Sequence, residues 1–228
     1  LEQVKKSIQI PLTIKIRTGW DQASINTSEV VQAAYDGGVS WVAIHGRTRA
    51  QGYSGLADWE HIARVKAKSP LPIIGNGDIS SAPVAVWRLL QSGCDGVMIG
   101  RGCLKNPWIF SQARHLLETI QTSATELSLE SLRARFAELE MAAKEEERHF
   151  NVALVKLQKY VDARGDERYS TLTLKKFVSW FSAGYPESKN FRQQLFALKK
   201  SGEIIDLALH YFSKFDIAQQ TDTSHEAF

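Results

Sequence analysis

The sequence predicts an α/β fold: the second half of a TIM-type (β/α)8 barrel, followed by an all-α helical bundle. Three observations predict it. Four short, apolar, largely β-branched runs (12–17, 41–45, 72–75 and 96–99) alternate with segments of helical length, as buried parallel strands do in βα units. Each run ends in a polar or glycine-rich cluster, and strand C-termini of such sheets form one shared rim where ligands bind. Beyond residues 122–127 glycine becomes scarce, strand patterns vanish, and apolar residues such as Phe177, Val178, Trp180 and Phe181 recur at helical spacing.

The elements follow in order. Residues 1–8 read as the end of a helix. Strand 12–17 leads to a helix at about 28–36, closed by Gly37-Gly38. Strand 41–45 leads through a long glycine-bearing loop to a helix at 59–68, for which Asp58 is a good N-cap. Strand 72–75 leads to Ser80-Ser81, a second cap, and a helix that ends at Ser92 before Gly93. Strand 96–99 leads to a helix beginning near Asn106-Pro107, with Pro in a first-turn position. Further helices are expected at 129–149, 151–163, 172–183, 187–200 and 203–215, separated by Gly165, Gly184 with Pro186, and Gly202.

These elements predict a half-barrel over 1–122, a helical bundle domain over 123–218 and a flexible tail over 219–228. A closed barrel needs eight βα units, and four alone leave two sheet edges and an apolar face open. With Leu1 rather than Met at the start, the expectation is a chain that begins inside a longer protein; association of two copies is the alternative.

Composition narrows the function class. The chain has 228 residues, 43% hydrophobic and 23% charged, with six Trp and ten Phe to fill a core. No apolar run approaches the roughly 18 residues of a membrane span, and no signal peptide is visible. The two cysteines, Cys94 and Cys103, are separated by a predicted strand, which argues against a mutual disulfide and for a reducing compartment, the cytoplasm. The net charge of +3 says little, but its distribution says more. Residues 111–147 carry four basic and eight acidic side chains; residues 148–200 carry eleven basic and four acidic. Tyr160, Tyr169, Trp180 and Tyr185 interleave with the basic set. That pattern fits a face for a phosphate backbone, against the blander reading of a solvated helical surface.

The clusters carry the chemistry. Asn76-Gly77-Asp78 and Gly100-Arg101-Gly102 are glycine turns that lead into helices on successive strands. Gly lets backbone N–H groups approach phosphate oxygens, and the helix dipole favours the charge. Arg101 can add a charge-assisted contact. Asp78 suits helix capping equally well. Lys15 alternates with Ile14 and Ile16, so it points to the opposite face of its strand, where a Lys needs an anion or acceptor. A reduced flavin carries negative charge near N1 and O2, which a Lys stabilises. Arg17 shares the face of Lys15 and is placed to meet substrate. His45 ends the next strand and can donate to a flavin ring atom. Arg47 and Arg49 lie on the long loop that follows. No metal-ligand spacing is present, and both cysteines read as structural.

These clusters, in this order, resemble the tRNA-dihydrouridine synthases. The resemblance rests on Lys15-Ile16-Arg17 with Gly19-Trp20, on His45-Gly46-Arg47-Thr48 with Gln51-Gly52-Tyr53, on Asn76-Gly77-Asp78-Ile79, and on the stretch from Cys94 through Gly102. It covers nearly the whole chain and looks closest to the bacterial C-type enzymes, which modify U16 of the D-loop. It implies FMN as cofactor, NADPH as reductant and tRNA as substrate. A flipped-out uridine receives hydride at C6, and a cysteine thiol protonates C5. By motif position, Lys15, His45, Asn76, Gly77, Asp78, Gly100 and Arg101 would hold the cofactor. Arg17, Arg47, Arg49, Arg168, Lys175 and Lys176 would meet tRNA. The family's acid cysteine belongs to the first half of the barrel and matches neither Cys94 nor Cys103, so the chain by itself is expected to be inactive. Two alternatives stay open: another FMN-barrel oxidoreductase acting on a small molecule, and a non-catalytic RNA-binding protein. No protein partner is implied.

Overall fold

The computed structural model describes residues 1–121, 127–142, 150–163 and 166–215. The expected boundary at 122/123 and the tail at 219–228 lie outside these residues. The chain forms two compact units, Leu1–Gly102 with Ser111–Arg133, and Cys103–Phe110 with Ala134–Phe228.

The first unit opens with α1 (Glu2–Ser7), then β1 (Thr13–Arg17), a 3-10 turn (Gln22–Ser24) and α2 (Thr27–Asp36). It continues through β2 (Trp41–His45), α3 (Trp59–Lys68), β3 (Ile73–Asn76), α4 (Ala82–Ser92) and β4 (Gly96–Met98). The predicted punctuation is used: Asp58 caps α3 by accepting from the His61 N–H at 2.7 Å, and Gly93 closes α4 in the left-handed region at φ +64°. Near Asn106-Pro107 the expected single helix is instead two, α5 (Gly102–Lys105) and α6 (Ile109–Gln121). Pro107 sits in the turn between them, where its missing N–H leaves no helical bond unmade.

All four strands pair in parallel, in the order β1-β2-β3-β4, with no reversal. Ile14, Val42 and Ile73 align, as do Ile16, Ile44, Gly75 and Val97. This face packs on Val31 and Ala34 of α2, Trp59, Ile62 and Val65 of α3, and Ala85 of α4. Each fully buried branched side chain there stabilises the unit by roughly 1.5–3 kcal/mol. Helices that follow successive strands onto one face make a singly wound sheet, the winding of barrels rather than of doubly wound folds. Gly75 is required by packing, because a Cβ there would lie 2.5 Å from the Trp59 ring. Trp59 in turn donates its indole N–H to the Gly77 carbonyl at 3.0 Å, tying α3 to the end of β3.

The second unit is helical: α7 (Leu129–Ala142) leads into it, followed by α8 (Phe150–Asp162), α9 (Glu167–Phe181), α10 (Ser188–Ala197) and α11 (Ser201–Phe212). Its core joins Leu154, Val161, Leu174, Val178, Leu195, Ile204 and Ala208, with Phe191 stacked on Tyr211 at 3.8 Å between ring centroids. The α9 helix starts at Glu167, earlier than the expected 172, because Asp166 caps it by accepting from the Arg168 N–H at 2.9 Å. The α11 helix starts at Ser201, earlier than 203, because the Glu167 carboxylate accepts from the Ser201 N–H at 2.6 Å and the Ser201 hydroxyl at 3.0 Å. That second cap joins residues far apart in sequence, which periodicity cannot reveal.

Candidate active site

Alternation along the strands sends the other set of side chains to the face away from the helices. There the register places Lys15, Ala43, Ile74 and Gly96 in one row, and Arg17, His45, Asn76 and Met98 in the next, at the strand C-termini. Lys15 and Arg17 are thus about 7 Å apart along one strand, with His45 beside Arg17.

The two rows together are cationic at the β1 side. Lys15 is exposed and makes no hydrogen bond or ion pair among the described residues. Neighbouring protein atoms desolvate it in part, and with Arg17 nearby they hold its ammonium below the ordinary lysine range. Arg17 donates to the backbone carbonyls of Thr48, at 2.7 Å, and Gly52, at 3.1 Å, and makes no ion pair among the described residues. His45 is 8% exposed. Burial first, then Arg17, Lys15 and Arg47, pull its pKa down to about 4, so the imidazole is neutral near pH 7. Its ring makes no hydrogen bond among the described residues. The Asn76 side-chain amide donates to the Met98 carbonyl at 2.6 Å and so locks β4 to β3 at this edge. A neutral imidazole with an unused donor, beside an unpaired ammonium, suits a ligand with an anionic, hydrogen-bonding edge.

Two expected site residues have a different first role. Arg47, expected to face RNA, is 3% exposed and turned into the protein. Its guanidinium grips the Asp78 carboxylate on both prongs, at 2.7 and 2.9 Å, and donates to the carbonyls of Ser54 and Gly55. Asp78, expected to hold phosphate or cap a helix, accepts from Arg47 and from the Ala57 N–H at 2.7 Å. The pair therefore staples the 46–58 loop to the end of β3. Gly77 has φ +130°, and a Cβ on it would lie 2.5 Å from the Ala57 methyl and 3.2 Å from the His45 ring. This glycine lets the loop close over the histidine. Asp78 itself is left-handed at φ +49°, a conformation Asp tolerates better than most residues.

The 46–58 loop is also zipped to the loop after β1. Thr18 N–H donates to Arg47, Arg49 N–H to Gly19 and Ala50 N–H to Trp20, at 3.4, 2.9 and 2.8 Å. On this rim Arg49 lies against the Trp20 ring, 6.0 Å from its centroid, and Arg101 lies over Tyr53 at 4.3 Å. At Gly100 an added Cβ would touch nothing within 4 Å. Trp20, 68% exposed, carries part of the family resemblance but no expected contact; its place one residue after Gly19 at a strand C-terminus is the signal for one.

In the helical unit, Arg168 and Lys176 are exposed and Lys175 is half-buried. Lys175 donates to the Phe196 carbonyl at 2.9 Å, and Lys176 lies 4.8 Å from the Trp180 ring centroid. None of the three makes an ion pair among the described residues. Cys94 is 7% exposed among the residues of the helix-facing core, and burial pushes its thiol above the ordinary range. Cys94 and Cys103 form no disulfide. No group of three or more potential metal ligands occurs among the described residues, and no helix there is long and apolar enough to cross a membrane.

The family model described as Dihydrouridine synthase (Dus) matches residues 1–215. A probable tRNA-dihydrouridine synthase of Rickettsia bellii is 36% identical over 191 residues, 84% of this chain and 53% of the relative. A probable tRNA-dihydrouridine synthase 1 of Synechocystis is 33% identical over 207 residues, 91% of this chain and 53% of the relative. The tRNA-dihydrouridine synthase B of Pasteurella multocida is 35% identical over 198 residues, 87% of this chain and 54% of the relative. The chain spans about half the length of these curated relatives. On this match and on the residues that carry it, the chain belongs to the dihydrouridine synthase family.

Proposed function

We propose that the whole protein reduces a uridine of the tRNA D-loop to dihydrouridine in the cytoplasm, with FMN as cofactor and NADPH as reductant, and that this chain is the second half of its (β/α)8 barrel plus its RNA-binding helices. One observation carries the reading. The face of the sheet away from the helices presents Lys15 and His45, neither with a hydrogen bond or ion pair among the described residues and His45 neutral, in rows that adjoin at Arg17 near the C-terminal end of β1.

The residues present fit a flavin. Lys15 would face its anionic N1–O2 edge, and His45, kept neutral by its cationic surroundings, would donate to a ring acceptor. The Gly77 turn, Gly100, where a Cβ would meet nothing within 4 Å, and Arg101 would hold the phosphate end. FMN, when bound, supplies hydride to C6 of the uracil. Arg17, fixed by two loop carbonyls, would orient the flipped-out base. The proton for C5 is not assigned to this chain: Cys94 lies with the helix-facing core, away from the row. Arg168, Lys175 and Lys176 would contact tRNA phosphates.

The test is an absorbance spectrum of the whole protein, from about 300 to 500 nm where a flavin absorbs, before and after NADPH, followed by dihydrouridine analysis of incubated tRNA. Flavin bands that bleach, with dihydrouridine formed, are expected. Bleaching without dihydrouridine would favour a small-molecule FMN oxidoreductase, and absent bands would favour an RNA-binding scaffold.

A further inference from the structure

Trp20 is an exposed aromatic on a rigid support. Gly19 makes the close approach that a side chain would block, since a Cβ there would overlap the Ser24 carbonyl. Gly19 also bridges Ile25, and Asp21 and Ser24 close a capping box around the 3-10 turn. Upstream, the Thr18 carbonyl accepts from the Thr27 hydroxyl at 2.8 Å, and that hydroxyl in turn accepts from His61 Nε2–H at 2.8 Å. Downstream, the Trp20 carbonyl accepts from Ala50 N–H. The chain on both sides of Trp20 is therefore pinned, yet its indole remains 68% exposed. Arg49, exposed and without an ion pair among the described residues, lies beside the ring.

A pinned indole loses little conformational freedom when it meets a flat partner, and a neighbouring guanidinium supplies charge for an adjacent phosphate. An apolar protein partner would not call for the arginine. On the same rim Arg101, from the turn after β4, lies over Tyr53 of the 46–58 loop as a second aromatic–guanidinium pair. We infer that Trp20 and Arg49 form a contact for an unpaired RNA base beside the reacting uridine: Trp20 stacks on the base and Arg49 binds its phosphate. This rests on the tRNA reading above and adds a substrate contact to it.

The experiment uses the whole protein with tRNA. Trp20→Ala is expected to weaken tRNA binding roughly tenfold with no change in the salt dependence, because stacking releases no counterions. Trp20→Phe should bind with intermediate affinity. Arg49→Gln should flatten the salt dependence by about one phosphate contact. Melting midpoint and flavin content are read in parallel and should match the parent in all three. Parent-like tRNA binding by Trp20→Ala would overturn the inference. So would a loss of binding that appears only with a fallen melting midpoint in both Trp20 variants, which would seat the indole on protein. Failure of the parent itself to bind tRNA would overturn the underlying functional reading instead.

Discussion

Arg47 and Asp78 form a two-pronged ion pair, at 2.7 and 2.9 Å, that joins the loop after β2 to the turn after β3. Its partners are unequally buried, with side-chain exposures of 4% for Arg47 and 25% for Asp78. The Ala57 N–H and the Ser54 and Gly55 carbonyls complete the cluster, so the 46–58 loop is organised around one guanidinium.

Removing either partner strands the other. Arg47→Ala is expected to cost about 3 kcal/mol of stability, the scale for breaking a buried pair. Arg47→Lys should recover only part of it, because an ammonium lacks the planar fork. Urea unfolding of both variants, closed into a double-mutant cycle with Asp78→Asn, measures the coupling.

Gly77→Ala places a methyl against Ala57 and the His45 ring at a φ that L side chains rarely adopt. The expected loss is about 1–3 kcal/mol from backbone strain, measured as a lowered denaturation midpoint. Gly100→Ala, whose added methyl meets open space, is the control and should stay near the parent.

His45 links stability to pH. Its folded-state pKa is near 4, below the ordinary 6.5. Between those values the unfolded chain binds the proton and the folded chain does not, so stability should fall as pH drops from about 6.5 to 4. His45→Gln should flatten that part of a melting-midpoint profile. A profile unchanged by the substitution would place the titration elsewhere.

Exchanging Lys175 and Lys176 together for Ala should weaken tRNA binding and lower its salt slope by roughly two contacts. Lys175 also supports the Phe196 carbonyl, so melting is followed in the same preparations. An unchanged slope would remove this face from the RNA site.

Much of this protein is legible in its sequence. Period-two alternation of Ile14, Ile16, Val42, Ile44 and Ile73 against Lys15, Arg17 and His45 declares which strand face meets the helices and which carries the polar side chains. Asp58, Gly93 and the glycine turns mark the element ends, because capping and left-handed backbone are local chemistry. Long-range geometry decided the rest. Whether Arg47 reaches outward to RNA or inward to Asp78 depends on how two loops 31 residues apart meet, which no local pattern encodes. The early starts of α9 and α11 depend on Asp166 and on a Glu167–Ser201 cap made across the bundle. The exposure of Trp20 depends on backbone bonds between the loops after β1 and β2. Residue spacing determines faces and ends; only folding in three dimensions determines which polar group finds a partner and which is left for a ligand.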